Sequence, residues 1–194
     1  ARYGGTSSDG NDSTVNFTPP TEPWKPDADT LLILNVDDAR MPFTTGIDHS
    51  TGGTNGKAGA PAIDNEVTKF GSSSLALGGA HPTGPMGGAT PTGAGGDFIK
   101  QSASEKWNFG TGDFTVEAWI YKTEHRGQPI VGNATVAIGP GNGNCWRMRT
   151  LAINTEYANL SFGHGGTDDI TSHQDNNFTL HEWHHVVAVR ASGQ

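Results

Sequence analysis

The chain has 194 residues, a formal net charge of −8, 28 glycines, 11 prolines and 33% hydrophobic residues. That length supports one sizeable core, and so much Gly and Pro beside so few apolar residues argues against a helical protein and for strands joined by long turns. With an acidic balance and no Lys/Arg cluster the chain is not expected to bind nucleic acid, and no apolar run approaches the roughly 18 residues of a membrane span.

Residues 1–28 are polar and end in Thr18-Pro19-Pro20-Thr21-Glu22-Pro23-Trp24-Lys25-Pro26, which reads as an extended arm or linker. The start lacks the apolar stretch of a signal peptide, so the expectation is a protein made in a cytoplasm. Leu31-Leu32-Ile33-Leu34-Asn35-Val36 predicts a first buried strand. A long Gly/Thr/Asn loop follows over 37–66, then a turn and strand within 69–79. Residues 80–96, dense in Gly, Pro and Thr, read as a surface excursion, and 97–99 resume the sheet. Further strands are predicted at 114–122, 129–138, 146–153, 157–163 and 183–190. The first of these alternates, with Phe114, Val116, Ala118 and Ile120 on one face and Thr115, Glu117, Trp119 and Tyr121 on the other.

Two segments carry the most specific wording. One is Phe109-Gly110-Thr111-Gly112-Asp113-Phe114-Thr115-Val116-Glu117-Ala118-Trp119, and the other is Trp183-His184-His185-Val186-Val187-Ala188-Val189-Arg190. With Phe70-Gly71-Ser72-Ser73-Ser74-Leu75 before them, they make the chain from about Asp29 to Gln194 resemble the laminin-G-like, concanavalin-A-like lectin domain of phage and bacterial surface proteins. The resemblance implies an all-β jelly-roll β-sandwich over 29–194, preceded by the extended N-terminal arm of 1–28. Such domains continue after the Trp-x-His strand with further strands, so the sandwich is expected to lack its last strands here.

Three chemistries compete for the polar residues. His181-Glu182-Trp183-His184-His185 matches the zinc-protease pattern H-E-x-x-H, which needs a helix to bring both imidazoles to one metal. Here the pattern runs into β-branched residues, and in a strand positions four apart are separated by roughly 13 Å. No zinc is therefore expected at His181 and His185. Glycan hydrolysis needs two carboxylates on one face, whereas Glu117 stands alone on its strand, so no catalytic residues are assigned. Glycan binding needs aromatic platforms and loop oxygens, often with a bound cation. Trp146, Asp168, Asp169, Asp175, Asn176 and Asn177 are the candidate ligand-binding residues, and Asp168 and Asp169 the candidate calcium ligands, calcium being the one cofactor the sequence suggests. Five N-x-[ST] matches occur, at Asn11, Asn16, Asn133, Asn159 and Asn177; in a chain so rich in these residues most are expected to be chance, and without a signal peptide no glycosylation is expected.

The functional expectation is a non-catalytic virion protein of a bacteriophage, such as a head decoration, fibre or tail-associated adhesin. It would display a glycan-binding module on the virion surface and meet other virion proteins through its arm. A homo-oligomer is expected, with cell-surface glycans as partners and neither nucleic acid nor membrane insertion. The alternative is a carbohydrate-binding module of a secreted, extracellular bacterial protein or glycoside-active enzyme.

Overall fold

The structure, a computed structural model, describes residues 3–7, 12–15, 18–34, 47–49, 61–77, 99–101, 104–125, 127–133, 146–152, 158–164, 170–172 and 178–191. Among these are twelve strands: β1 (Tyr3–Ser7), β2 (Asp12–Val15), β3 (Ile47–His49), β4 (Ala62–Asp64), β5 (Ser74–Ala76), β6 (Ile99–Gln101), β7 (Phe114–Tyr121), β8 (Gln128–Gly132), β9 (Trp146–Ala152), β10 (Ala158–His164), β11 (Ile170–Ser172) and β12 (Trp183–Arg190). The only helical element among the described residues is a 3-10 turn at Glu105–Trp107. The chain divides into two compact units, one of residues 1–19, 107–134 and 138–194, the other of 20–106 and 135–137.

The first unit is a β-sandwich. β7 and β12 are rich in β-branched and aromatic residues, which fit a pleated, half-buried surface. They pair antiparallel along their full lengths, from Trp183 opposite Tyr121 to Arg190 opposite Phe114. The second layer is a six-stranded sheet in the order β2-β1-β11-β10-β9-β8. Between the layers Met148, Ala158, Phe178 and Val186 are buried, with Val116, Ala118, Ile120, Leu160, Phe162 and Ala188 packed against them. The predicted alternation of β7 is therefore the observed one: its even-numbered residues face the core. Burial of these apolar side chains is the main stabilising term, on the order of 1.5–3 kcal/mol for each large one.

β8 lies at one edge of the larger sheet and carries Pro129 there, where a missing N–H is tolerated. Its register shifts between Pro129 and Val131, and the extra residue lets both Ile130 and Val131 pack on the core. A Cβ at Gly132 would lie 2.7 Å from the Trp146 carbonyl oxygen, so this strand end approaches β9 closely because residue 132 has no side chain.

In the second unit β3 pairs with β6 and β4 with β5, both antiparallel. The β4–β5 connection is set by Asp64, whose Oδ1 accepts from the backbone N–H of Glu66 and Val67. It also contains Gly71 at φ 64°, a left-handed conformation that glycine adopts without steric cost.

Three expectations change. Residues 31–34, read as part of a buried opening strand, are not a strand, and Leu31 and Leu32 are exposed. They follow a tight turn in which Asp27 Oδ1 accepts from Asp29 N–H and the Thr30 hydroxyl. An apolar run reports a tendency to be buried and does not supply a strand partner. Within the stretch 1–28 read as an arm, β1 and β2 form a hairpin whose first strand pairs with β11, while 18–28 form no strand. Main-chain pairing to a sheet edge recruits those residues despite their polar side chains. The strand expected at 129–138 runs over 128–132, and residues 134–145 lie outside the described residues, as do 35–36 and 80–96.

Candidate functional site

Two turns aim the β7–β12 pair. The entry to β7 is closed by Gly112 N–H donating to the Phe109 carbonyl at 3.0 Å, with Gly110 at φ 54°. Arg190, the last residue of β12, locks it: Nε donates to the Gly112 carbonyl at 2.8 Å, and Nη2 to the carbonyls of Gly110 (2.8 Å), Phe109 (3.4 Å) and Gly112. Its guanidinium also lies 4.8 Å from the centre of the Phe114 ring. At the other end the turn before β12 places His181 at φ 61°, and its N–H donates to the Lys122 carbonyl at 2.8 Å. The two segments with family-like wording are thus bound to each other at both ends.

The odd-numbered residues of both strands share the face turned away from the core. Tyr121 and Trp183 are cross-strand partners with ring centroids 5.5 Å apart, and the His181 ring meets Tyr121 edge-on at 6.2 Å. Both partners are half-buried and His181 is exposed. Further along, His185 packs on its partner Trp119 at 5.0 Å, and its Nε2 sits 3.0 Å from Glu117 Oε2. Burial pushes the His185 imidazole down to about 4. The Glu117 carboxylate acts in the opposite sense, but desolvation dominates, so the ring is neutral at pH 7 and the contact joins a dipole to a charge. The face therefore offers an aromatic rim at one end and a partly exposed carboxylate further in, where the neutral imidazole beside it is buried.

The interior side of the same strand end is polar. Lys122 is only 6% exposed, and its Nζ donates to Gln128 Oε1 at 2.8 Å and Thr150 Oγ1 at 3.2 Å. Desolvation lowers this amine to about 8, against a smaller opposing pull from Glu124. The buried His184 bonds the Thr179 carbonyl through Nε2 at 2.9 Å, which makes Nε2 the protonated nitrogen because a carbonyl can only accept.

Of the residues expected to bind ligand, Trp146 is 8% exposed and belongs to the packing. Its indole N–H donates to the Trp107 carbonyl at 2.7 Å, and its ring stacks on Phe109 at 4.7 Å. It offers no open platform, because the even-numbered face of β9 points into the sandwich. Asp168, Asp169, Asp175, Asn176 and Asn177 lie outside the described residues, and the calcium reading of Asp168 and Asp169 with them. The H-E-x-x-H segment is a turn followed by strand β12, not a helix. Among the described residues no group of three His, Cys, Asp or Glu side chains converges as a metal site would require, and no helix is long and apolar enough to cross a membrane. Asn133 uses both ends of its amide, Oδ1 accepting from Trp146 N–H and Nδ2 donating to the Trp107 carbonyl. Sequence reading missed the Tyr121–Trp183 pair. Its signal was the shared odd-numbered alternation of the two strands, which becomes a site only once their register is known.

This layered arrangement agrees with a family comparison, in which residues 93–194 match the family model described as the concanavalin A-like lectin/glucanases superfamily. The chain belongs to that superfamily. The matched region contains β7 to β12 and both turns that hold β7 to β12. No curated protein and no solved structure matches the chain.

Proposed function

We propose that this chain is a non-catalytic recognition module that binds a glycan on the outward face of β7–β12. The observation that carries this reading is the half-exposed Tyr121–Trp183 pair with His181 at its edge. Aromatic faces of this kind accept the C–H face of a pyranose, and Tyr and Trp suit a surface that is apolar at one end and wet at the other. Glu117, two same-face positions along β7 and roughly 13 Å from Tyr121, supplies an acceptor for sugar hydroxyls at the far end of the face. Hydrolysis would call for a second carboxyl group roughly 5–10 Å from the first, and β7 and β12 carry Glu117 as their only acid. The finer setting we propose is the surface of a bacteriophage virion, supported by the phage-like wording of the Gly110-Thr111-Gly112-Asp113-Phe114-Thr115 turn.

A glycan array probed with the purified chain tests the module, with and without a chelator. Specific binding that falls at least tenfold in Trp183→Ala, with an unchanged thermal transition, is the expected result. No binding to any glycan overturns the reading, and cleavage of a bound glycan overturns its non-catalytic part. Mass spectrometry of purified particles tests the setting: a stoichiometric component is expected, and secretion without particles favours the carbohydrate-binding module of an extracellular protein instead.

A further inference from the structure

β1 and β2 are held to the sandwich differently from its other strands. β1 meets β11 through the antiparallel pairs Gly5–Ser172, Thr6–Thr171 and Ser7–Ile170, and β2 through a ladder from Tyr3–Val15 to Thr6–Asp12. Tyr3 and Val15 are the only large apolar residues in the two strands, so main-chain bonds carry the attachment. The core is made elsewhere, by Met148, Ala158, Phe178 and Val186 with side chains of β7, β8, β10 and β12. The receiving strand is secured without β1: Ser172 is 9% exposed, and its Oγ accepts from the Leu160 N–H at 2.9 Å, which ties β11 to β10. Gly5 suits this edge because it places no side chain beside Ser172. Connectivity adds a second condition. Residues 1–19 belong to the first unit, yet the chain returns to that unit only at Trp107, after 20–106 have formed the other. The segment that leaves β2 carries Pro19, Pro20, Pro23 and Pro26, and 18–28 form no strand. Proline-rich runs are stiff and extended, at roughly 3.1 Å per residue. A long tether also lowers the effective concentration of a chain's own strand, which makes a second copy a better competitor for the edge.

We propose that two copies of this chain exchange their β1–β2 hairpins, β1 of each pairing with β11 of the other. The β1–β11 pairs are the same whichever copy supplies β1, because both copies have the same sequence. Exchange therefore keeps every main-chain bond of the closed form and joins two chains with a closed two-fold symmetry. The exchange is also self-reinforcing: once one hairpin has crossed, the second docks within a single assembly. Leaving the edge costs no core contact of the residues that pack Met148 and Val186, so the sandwich itself is not disturbed. The surface is separate from the aromatic rim, and the inference does not depend on the glycan site proposed above.

Cysteine pairs distinguish one chain from two. In a Cys145→Ser background, Thr6→Cys and Thr171→Cys place thiols at directly opposite positions, whose Cα atoms stand about 4.5–5.5 Å apart in an antiparallel pair, within the span of a disulfide. Two full-length chains, each with one of the substitutions, are made in the same cells, purified and oxidised. A disulfide joining the two different chains is expected, read by non-reducing electrophoresis and peptide mass spectrometry. The chain with both substitutions is expected to give covalent dimers, and the native chain to sediment as a dimer at micromolar concentration. Thr6→Pro removes a ladder donor from a strand with a neighbour on each side, and is expected to weaken dimerisation at least tenfold while the thermal transition of the core remains. Should Thr6→Pro fail to fold, the mixed-chain disulfide still decides. A double-cysteine chain that closes only on itself overturns the inference. So does a native chain that sediments as a monomer, a mixture that forms no disulfide between the two chains, or a Thr6→Pro chain that dimerises like the native one.

Discussion

The two ends of the sandwich core are held by different physics. At the entry to β7 the contacts are aromatic: Phe109 stacks on Phe114 at 4.5 Å and on Trp146 at 4.7 Å, and Phe114 on Phe162 at 5.3 Å. Polar groups there, Trp146 Nε1 and the Arg190 guanidinium, are spent on backbone carbonyls. At the exit of β7 a cation is buried instead, and Lys122 reaches Gln128 and Thr150. The first end gains from desolvating rings and is insensitive to pH, whereas the second carries the cost of a buried charge that hydrogen bonds only partly offset. A family-like sequence motif marks the first end, and only the structure exposes the second.

Replacing the ring at the aromatic end is the largest test of this contrast. Trp146→Ala is expected to cost about 3–5 kcal/mol in denaturant unfolding, independent of pH, because it removes a buried ring and leaves a cavity. At the polar end the effect depends on pH. With the native amine lowered to about 8 from an ordinary 10.5, Lys122 is charged in both states below pH 8 and the burial cost is present in full. Between pH 8 and 10.5 the unfolded chain holds the proton that the native one has released, so unfolding free energy rises with pH. The gain is at most ~3 kcal/mol. Lys122→Met is expected to remove that rise, and parallel pH–stability curves for the two proteins would refute a buried cation whose desolvation its hydrogen bonds only partly offset. The smallest effect belongs to the turn lock: Arg190→Lys keeps the charge near Phe114 but not the fork, and about 1–2 kcal/mol is the expected loss. A thermal shift no larger than that of an exposed substitution would show that the Gly110–Gly112 turn holds itself.

How much of this was legible follows from the same contrast. β7 and β12 could be read because alternation, β-branching and turn glycines all point one way. β9 and β10 were placed within about a residue for the same reason. The hairpin of β1 and β2 was not legible: its residues, Tyr3-Gly4-Gly5-Thr6-Ser7 and Asp12-Ser13-Thr14-Val15, carry no apolar alternation, and main-chain pairing with β11 leaves no mark on side-chain pattern. Leu31 and Leu32 misled in the opposite sense, since hydrophobicity without a partner strand does not make a sheet. At the candidate site, Trp146 attracted a ligand role through its residue type, yet its place on the even-numbered face of β9 directs it inward. Tyr121, Trp183 and Glu117 acquired meaning only from register.

Arg190 and the Gly112 carbonyl it grips are 78 residues apart in sequence. On a ribosome adding roughly 5–20 residues per second, that separation is on the order of ten seconds of synthesis. For that interval the β7 segment exists with its glycine turn but without β12, and its edge is open to any strand that meets it first. A guanidinium that arrives so late acts as a check on assembly order: the turn is sealed only when the correct partner strand has been made and has found its register.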